Sequence, residues 1–458
     1  MRHISSLVLS ALALASASSP RLALAQGADI THSNIQDSAR YPSTGAPVNG
    51  KYGYAWGSYT CNIGNANLSW INGGTPALAM NAYRIYDGRL TQIGLGHAKH
   101  GCCVANGSGC GLTCSSTGTG LRAGCQDVYS AGFNGGTTRL GPRSGIDPYS
   151  GTFAPIASGT GDAIWRHVQI NVTDMDPVLF PGARYFAEGE YVCNEELPAA
   201  KLNNASYRPA NIASTGAAPT YGWTMTGTTA IGKPAIYAWR EHGLGLNTPD
   251  TSVTIVNADV PGEGRFVAAG KVTALGNGTW RYDYAAFNLD SQRSGAGFSV
   301  PIRTDAIVTN MGFNAPLYHS GEPYDNTPWT IARLTTAVNF EAPAKFVQNA
   351  NTSALRWGTM YNFWFTASVP PAAATGSATL TLFRPGTPSS ITIDGLPVPL
   401  PPVACAADFD HSGVLGVQDI FVFVAAWFNH EPRADWNAVG GVTEQYIFDY
   451  LAAWFVGC

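Results

Sequence analysis

Arg265-Phe-Val-Ala-Ala-Gly-Lys-Val272, Asn277-Gly278 and Thr279-Trp-Arg-Tyr-Asp-Tyr-Ala-Ala-Phe-Asn-Leu289 read as strand, hairpin turn and strand. Short apolar runs then recur at Phe298 to Ile302, Ile307 to Phe313, Ala337 to Phe340, Met360 to Ala367 and Ala378 to Phe383. Strands spaced by about ten residues, parted by Gly, Pro and Asn turns, predict an antiparallel β-sandwich over residues 251–384. Pro-rich residues 385–402 read as a semi-rigid linker.

Upstream, residues 26–250 predict a second β region, loop-rich and tied by disulfides. Tyr52-Gly-Tyr54-Ala-Trp56-Gly-Ser-Tyr59 alternates aromatic and small residues, as a strand does. Asp87-Gly88 is a hairpin turn between two strand-like runs in Asn81 to Gly101. Ile164 to Val172, Ala183 to Cys193 and Lys233 to Gly243 read as strands, with a turn at Asp174 to Pro177. Five of the nine cysteines, Cys102, Cys103, Cys110, Cys114 and Cys125, cluster in a Gly/Ser-rich stretch. Cys61 and Cys193 stand apart. Zinc would need thiolates at regular spacing; irregular spacing and an oxidising compartment favour disulfides, whose connectivity stays open.

The compartment follows from the start of the chain. Arg2 and His3 precede an apolar run, Ile4 to Ala17, too short to span a bilayer, and Ala23-Leu24-Ala25 fits a cleavage site. Residues 1–25 thus read as a secretory signal, and no later stretch reads as transmembrane. Without Arg2 and Arg21 the chain holds 24 basic residues (26 − 2) against 30 acidic ones. That mild acidity, with no basic patch, disfavours nucleic acid as a partner. A G-x-S-x-G elbow, a P-loop and a dinucleotide fingerprint are all missing, which disfavours serine-hydrolase, nucleotide and nicotinamide chemistry.

The last residues are one unit written twice. Asp408 maps on Asp435, Gly413 on Gly440 and Trp427 on Trp454, a period of 27 (435 − 408). In the first unit Asp408, Asp410, Ser412 and Asp419 place side-chain oxygens at loop positions 1, 3, 5 and 12. The Val414 carbonyl falls at position 7 and Gly413 at the sharp turn, an arrangement suited to a hard cation. Ile420, Val424, Trp427 and Phe428 then recur at helical spacing. In the second unit only Asp435 and Asn437 persist; Val439 and Tyr446 replace oxygen donors. Prolines 397, 399, 401 and 402 argue against a helix entering the first loop. Loop plus exit helix, twice, resembles a dockerin, and the terminal Gly457-Cys458 resembles its GC-type variant. The resemblance covers residues 403–458. It implies structural Ca2+ at the first loop, a weak or empty second loop, and a cohesin-like or surface partner. Cys405 and Cys458 bracket the module and suit a bridge worth about 4 kcal/mol in the chain-entropy model.

Three constellations could carry chemistry. Tyr83, Arg84, Lys99 and His100 lie on two paired strands and offer the base and cation a polysaccharide lyase requires. Glu188 and Glu190 share a strand face about 6.5–7 Å apart, at the short edge of an inverting glycosidase pair, though a solvated strand face competes. His319 and Glu322 sit among Tyr318, Tyr324, Asp325 and Trp329 in a loop suited to sugar contact, or to a capped turn. Histidines 97, 100, 167, 242 and 319 form no metal signature.

The expected fold is therefore all-β: a loop-rich disulfide-tied β region plus an antiparallel β-sandwich, with a small α dockerin-like module at the C-terminus. The expected function, implied by that resemblance, is an exported polysaccharide-active protein, lyase or glycoside hydrolase, docked through its tail. A non-catalytic glycan-binding or structural surface protein is the alternative.

Overall fold

The structure is a computed structural model. It describes residues 26–457 except 72, 115–118, 157, 215–219, 373–374, 400–404, 411–414 and 437–439. The expected signal segment, residues 1–25, and Ser412, Val414, Asn437 and Cys458 lie outside the described residues.

The alternating aromatic run becomes the strand Lys51–Asn62, which pairs with Ile30–Tyr41 on one side and Val168–Asn171 on the other. Arg89–Leu95, Ala77–Tyr86, Arg184–Val192, Ala205–Ser214 and Tyr221–Met225 continue the same antiparallel sheet. Asp87 and Gly88 hold φ of 48° and 71°, as a tight hairpin turn requires. The sheet curls until its ends meet. The Ser38 hydroxyl donates to the Trp223 carbonyl at 2.6 Å, and Arg208 donates to Asn34 at 2.9 Å. Inside the curl Trp223 packs 5.0 Å from Trp56 and 5.8 Å from Tyr185. Cys61–Cys110 and Cys114–Cys125 are bridged, so the cysteine cluster is a disulfide loop, with Cys102, Cys103 and Cys193 free.

The two sandwich sheets are Thr254–Val260, Gly264–Ala274, Trp280–Asn288, Met360–Ala367, Val308–Asn314 and Thr330–Arg333, Ala337–Glu341, Gly295–Pro301, Gly376–Leu382, Ser390–Leu396, each in that order. Phe298 stacks on Phe363 at 4.5 Å between them. Two expectations need correction. Ser390–Leu396 is a strand of the sandwich and not linker, because Ile391 and Ile393 alternate into the core and outweigh the flanking prolines. Lys233 to Gly243 is a 3-10 turn, Ala235–Tyr237, running into a short helix, Ala238–Glu241. Its buried residues Ala235, Ile236, Ala238 and Trp239 follow a helical spacing, not a strand's.

The sandwich and the curled sheet share a buried seam. On the strand Trp280–Asn288, Tyr282, Tyr284 and Ala286 face the sandwich core, while Ala285 and Phe287 pack with Tyr83, Ile85, Phe186 and Trp239. Asp283, fully buried, accepts from Arg89 at 2.8 and 2.5 Å and from Arg281 at 2.8 Å. Asn362 donates to the Leu90 carbonyl at 2.8 Å, and the Met360 amide donates to Gln92 at 2.6 Å. The Ala77–Leu95 hairpin is thereby clasped to the sandwich.

The tail is two helices, Val417–Phe428 and Gln445–Val456, with the 27-residue period written into its contacts. Phe423 and Tyr450 stack at 4.0 Å. Phe409 meets Phe423 at 5.1 Å, and Trp436 meets Tyr450 at 5.1 Å. Trp427 donates to the Thr443 carbonyl at 2.8 Å, and Trp454 donates to the Gly416 carbonyl at 3.1 Å. Thr443 and Gly416 are themselves 27 apart (443 − 416), so the halves are related by a pseudo-twofold axis. No helix of the described residues is long and apolar enough to cross a membrane.

Removing Asp283 leaves two guanidinium groups facing each other in the seam. Asp283→Ala is expected to cost roughly 3–5 kcal/mol in denaturant unfolding. Arg281→Ala, which removes a partner at the seam's rim and leaves Arg89 on the carboxylate, is expected to cost clearly less.

Candidate functional site

Glu188 and Glu190 share one face of Arg184–Val192, but that face is neither solvated nor a cleft wall, because the seam covers it. The Glu188 carboxylate accepts from Tyr83 at 2.7 Å, Asn81 at 2.7 Å and the Ala235 amide at 2.5 Å. Burial raises its pKa, and those hydrogen bonds oppose the rise. Glu190 Oε2 has no hydrogen-bond partner. Burial, and then the charge of Glu188, push its carboxyl well above the usual range, so Glu190 carries the proton of the pair. Arg143 supplies the countercharge. Its guanidinium donates to the Gly96, Met80 and Gly358 carbonyls at 2.7, 2.9 and 3.0 Å and to Asn81 at 2.8 Å. Nothing in its Gly-Pro-Arg-Ser-Gly context signalled this role.

The lyase set does not assemble. Tyr83 points into the seam at Glu188, whereas its neighbour Arg84 points to the opposite face and pairs with Asp174 at 2.9 Å. Lys99 is buried, its ammonium 4.0 Å above the Tyr129 ring, and burial lowers its pKa to about 8 against the pull of Asp127. His100 is buried beside Phe153 with Nδ1 unpartnered; burial lowers its pKa to about 4. The third constellation is docking surface within the molecule. His319 Nε2 lies 2.6 Å from the Leu95 carbonyl, and its Nδ1 lies 2.8 Å from the Ser320 hydroxyl. Glu322 accepts from the Arg143 and Ser144 amides, Tyr318 is buried, and Trp329 belongs to the sandwich core. Of the five histidines only His97 and His319 approach, with rings 5.6 Å apart.

The open clefts lie elsewhere. One, of about 240 Å³, is lined by Lys51, Arg84, Gln169, Asn171, Asp174 and Asn314, with His319 at its edge. Asn314 Nδ2, in the lining of this cleft, is buried without a partner among the described residues. The other, of about 410 Å³, is more apolar and includes Phe180, Tyr185, Phe186, Asn211 and Leu246. The clefts adjoin: the Arg84 guanidinium of the first lies 3.4 Å over the Phe180 ring of the second. Lys51, Asn314 and Phe180 were missed because each is a single polar or aromatic residue in a turn-rich context; only the fold brings them together.

In the tail, ligand atoms of Asp408, Asp410 and Asp419 all lie within 4.8 Å of one another. Oxygens about 2.4 Å from a shared hard cation would be up to about 4.8 Å apart. Asp419, fully buried, is positioned by the Gly416 amide at 2.8 Å and the Asp410 amide at 3.1 Å. In the second repeat Asp435 accepts from the Gly440 amide at 2.8 Å, while Tyr446 at loop position 12 packs in the core. Of the two positions at which the second repeat lacks an oxygen donor, Tyr446 is described and Val439 lies outside the described residues. Cys405 is disulfide-bonded; its expected partner Cys458 lies outside the described residues.

No protein-family model matches the chain, and no curated protein matches it significantly.

Burial of the His100 imidazole is expected to add to the acid lability of the body, as is that of His32 and His319. Neutral in the fold down to about pH 4, it is protonated first in the unfolded chain, near 6.5. Its stabilising share is present above 6.5 and is lost as pH falls through about 4. His100→Phe removes that term. Between about pH 7 and about pH 4.5 the variant is expected to lose less stability than the parent, by roughly 2–3 kcal/mol in denaturant unfolding. Any constant packing cost cancels in the difference.

Proposed function

We propose that the protein is an exported, non-catalytic polysaccharide-binding component, held at a partner or surface by a calcium-loaded dockerin-like tail. The observation that carries this reading is the separation of the candidate catalytic glutamates from the clefts. Glu188, Glu190 and Glu322 hydrogen-bond or bury within the molecule, while the clefts present amides, Lys51 and Arg84 beside the Phe180 ring, with a carboxylate, Asp174, that is paired to Arg84 at 2.9 Å. Amides and cations hydrogen-bond sugar hydroxyls and carboxylates, and an aromatic face takes a pyranose ring. Acid–base hydrolysis needs two reachable carboxyls, and a lyase needs a free base. His319, the imidazole at a cleft edge, has both ring nitrogens engaged.

The acid triad supports the tail half of the reading. So does the symmetric exposure of apolar residues. Phe421 and Phe448, and Phe428 and Phe455, are exposed pairs one repeat apart (448 − 421 and 455 − 428, each 27). Apolar side chains left outside on a module this small suit a docking partner.

Two measurements on the full chain test the proposal. Affinity gels with neutral and uronate polysaccharides, read beside a reducing-end assay, are expected to show retardation without product. Retardation is expected to weaken about tenfold in Lys51→Ala with Arg84→Ala; new reducing ends would sink the non-catalytic reading. Calorimetry with calcium is expected to give one site, lost in Asp408→Asn with Asp419→Asn and kept in Asp435→Asn. At calcium a hundredfold above Kd the tail gains about 2.7 kcal/mol. Binding that depends on Asp435 instead would reverse the assignment of the loops.

A further inference from the structure

Among the described residues three cysteines stay outside the bridges, and two of them are neighbours in sequence. Cys193 is buried. Cys102 and Cys103 lie at the surface, beside the disulfide-tied loop, with Sγ atoms 2.6 Å apart. A covalent S–S bond is about 2.0 Å, so the two sulfurs are already aimed at each other. Their surroundings are built. The Tyr129 hydroxyl donates to the Cys103 carbonyl at 2.5 Å and lies 3.1 Å from its Sγ. The Tyr129 ring stacks on Phe133 at 4.4 Å, and the buried Lys99 ammonium lies against both rings, 4.0 Å from Tyr129 and 5.3 Å from Phe133. Ser58 to Cys61 pair with Gln126 to Tyr129, which anchors that tyrosine to the curled sheet.

We propose that Cys102 and Cys103 form a reversible dithiol–disulfide site whose co-reactant is a thiol–disulfide couple of the glutathione type. Cys103 is the attacking sulfur. Its thiol is lowered by the hydrogen bond from Cys102 first and by Tyr129 second, whereas burial raises Cys102. The Cys103 thiolate attacks a disulfide R–S–S–R; a Cys103–S–S–R bond forms, and one R–S⁻ leaves and takes a proton. Cys102 then attacks the Cys103 sulfur, the mixed bond breaks, and a second R–SH departs with the Cys102 proton. Two electrons pass to the oxidant, and the two protein thiols become one bond. Adjacent Cα atoms are about 3.8 Å apart, shorter than ordinary disulfides span, so a bond closed there is strained and easily reopened. Reversibility is thus a consequence of adjacency, and the same ring reopens when the couple turns reducing. Cys61–Cys110, with a Cα separation of 5.7 Å, and Cys114–Cys125, at 4.3 Å near the lower edge of the ordinary span, join residues distant in sequence and serve as structural bridges.

The test uses the full chain, exported through an oxidising compartment, and peptide mapping without reductant. Incubation with glutathione disulfide is expected to remove two hydrogens from the peptide that carries Cys102 and Cys103, and glutathione is expected to restore them. In Cys102→Ser the mixed glutathione adduct at Cys103 has no resolving thiol. It is expected to accumulate about tenfold above the adduct at Cys102 in Cys103→Ser. Intact Cys61–Cys110 and Cys114–Cys125 bridges in the same map show that each variant is folded. Two free thiols after excess glutathione disulfide, or either cysteine bridged elsewhere, would overturn the proposal. Equal adducts in the two variants would overturn the assignment of Cys103 as the attacking sulfur.

Discussion

A guanidinium buried among carbonyls holds the body of this protein together. Arg143 sits where the disulfide-loop region, the Ala77–Leu95 hairpin and the sandwich converge, and it donates to a carbonyl or amide of the last two. Its own backbone is held in return: the amide donates to Glu322, and the carbonyl accepts from Trp357 at 3.1 Å. A buried cation is costly unless its donors are used, and here four bonds to carbonyl and amide oxygens satisfy the guanidinium within the seam. Gly358 makes the approach feasible. Its φ is +66°, and a Cβ there would stand 2.3 Å from the Arg143 guanidinium and 2.9 Å from Glu190 Oε2. Only a residue without a side chain lets the sandwich loop close over the charge.

The acids that looked catalytic answer to the same constraint. A strand covered on both faces has no solvated side, so Glu188 and Glu190 must be neutralised where they lie. Glu188 does so with three hydrogen bonds, and Glu190 does so by keeping its proton beside Arg143. Alternation along a strand placed both carboxyls on one face correctly. It carried no information on whether that face met water, because the covering groups, Ala235 and Gly358, come from 45 residues (235 − 190) and 168 residues (358 − 190) away.

Local signals were legible and long-range ones were not. The Asp87-Gly88 hairpin, the sandwich strands from Gly264 to Leu382 and the 27-residue repeat each rest on neighbours in sequence, and each stands in the structure. Proline flanks hid Ser390–Leu396, although the alternation of Ile391 and Ile393 was present to be read. Lys233 to Gly243 reads as a strand by its aromatic content, yet its buried positions follow a helical period. The clefts depended on the curl of the first sheet and on the docking of the His319 loop, neither of which has a local signature.

The tail shows how far a repeat can carry an argument and where it stops. Phe423 and Tyr450 stack across the axis, and each tryptophan ties down the other repeat's loop, so neither half has a core without its partner. Symmetry of packing survives substitution because an aromatic is replaced by another aromatic: Phe409 by Trp436, Phe423 by Tyr450. Symmetry of the loops does not. Asp419 opens one helix and gathers the amides of Gly416 and Asp410, whereas Tyr446 at the matching position turns inward. The fold therefore constrains the shared hydrophobic axis in both halves, while among the described residues a cluster of three carboxylates forms in the first. A module built this way exposes Phe421 and Phe448, and Phe428 and Phe455, in duplicate, while the cluster of Asp408, Asp410 and Asp419 belongs to the first repeat.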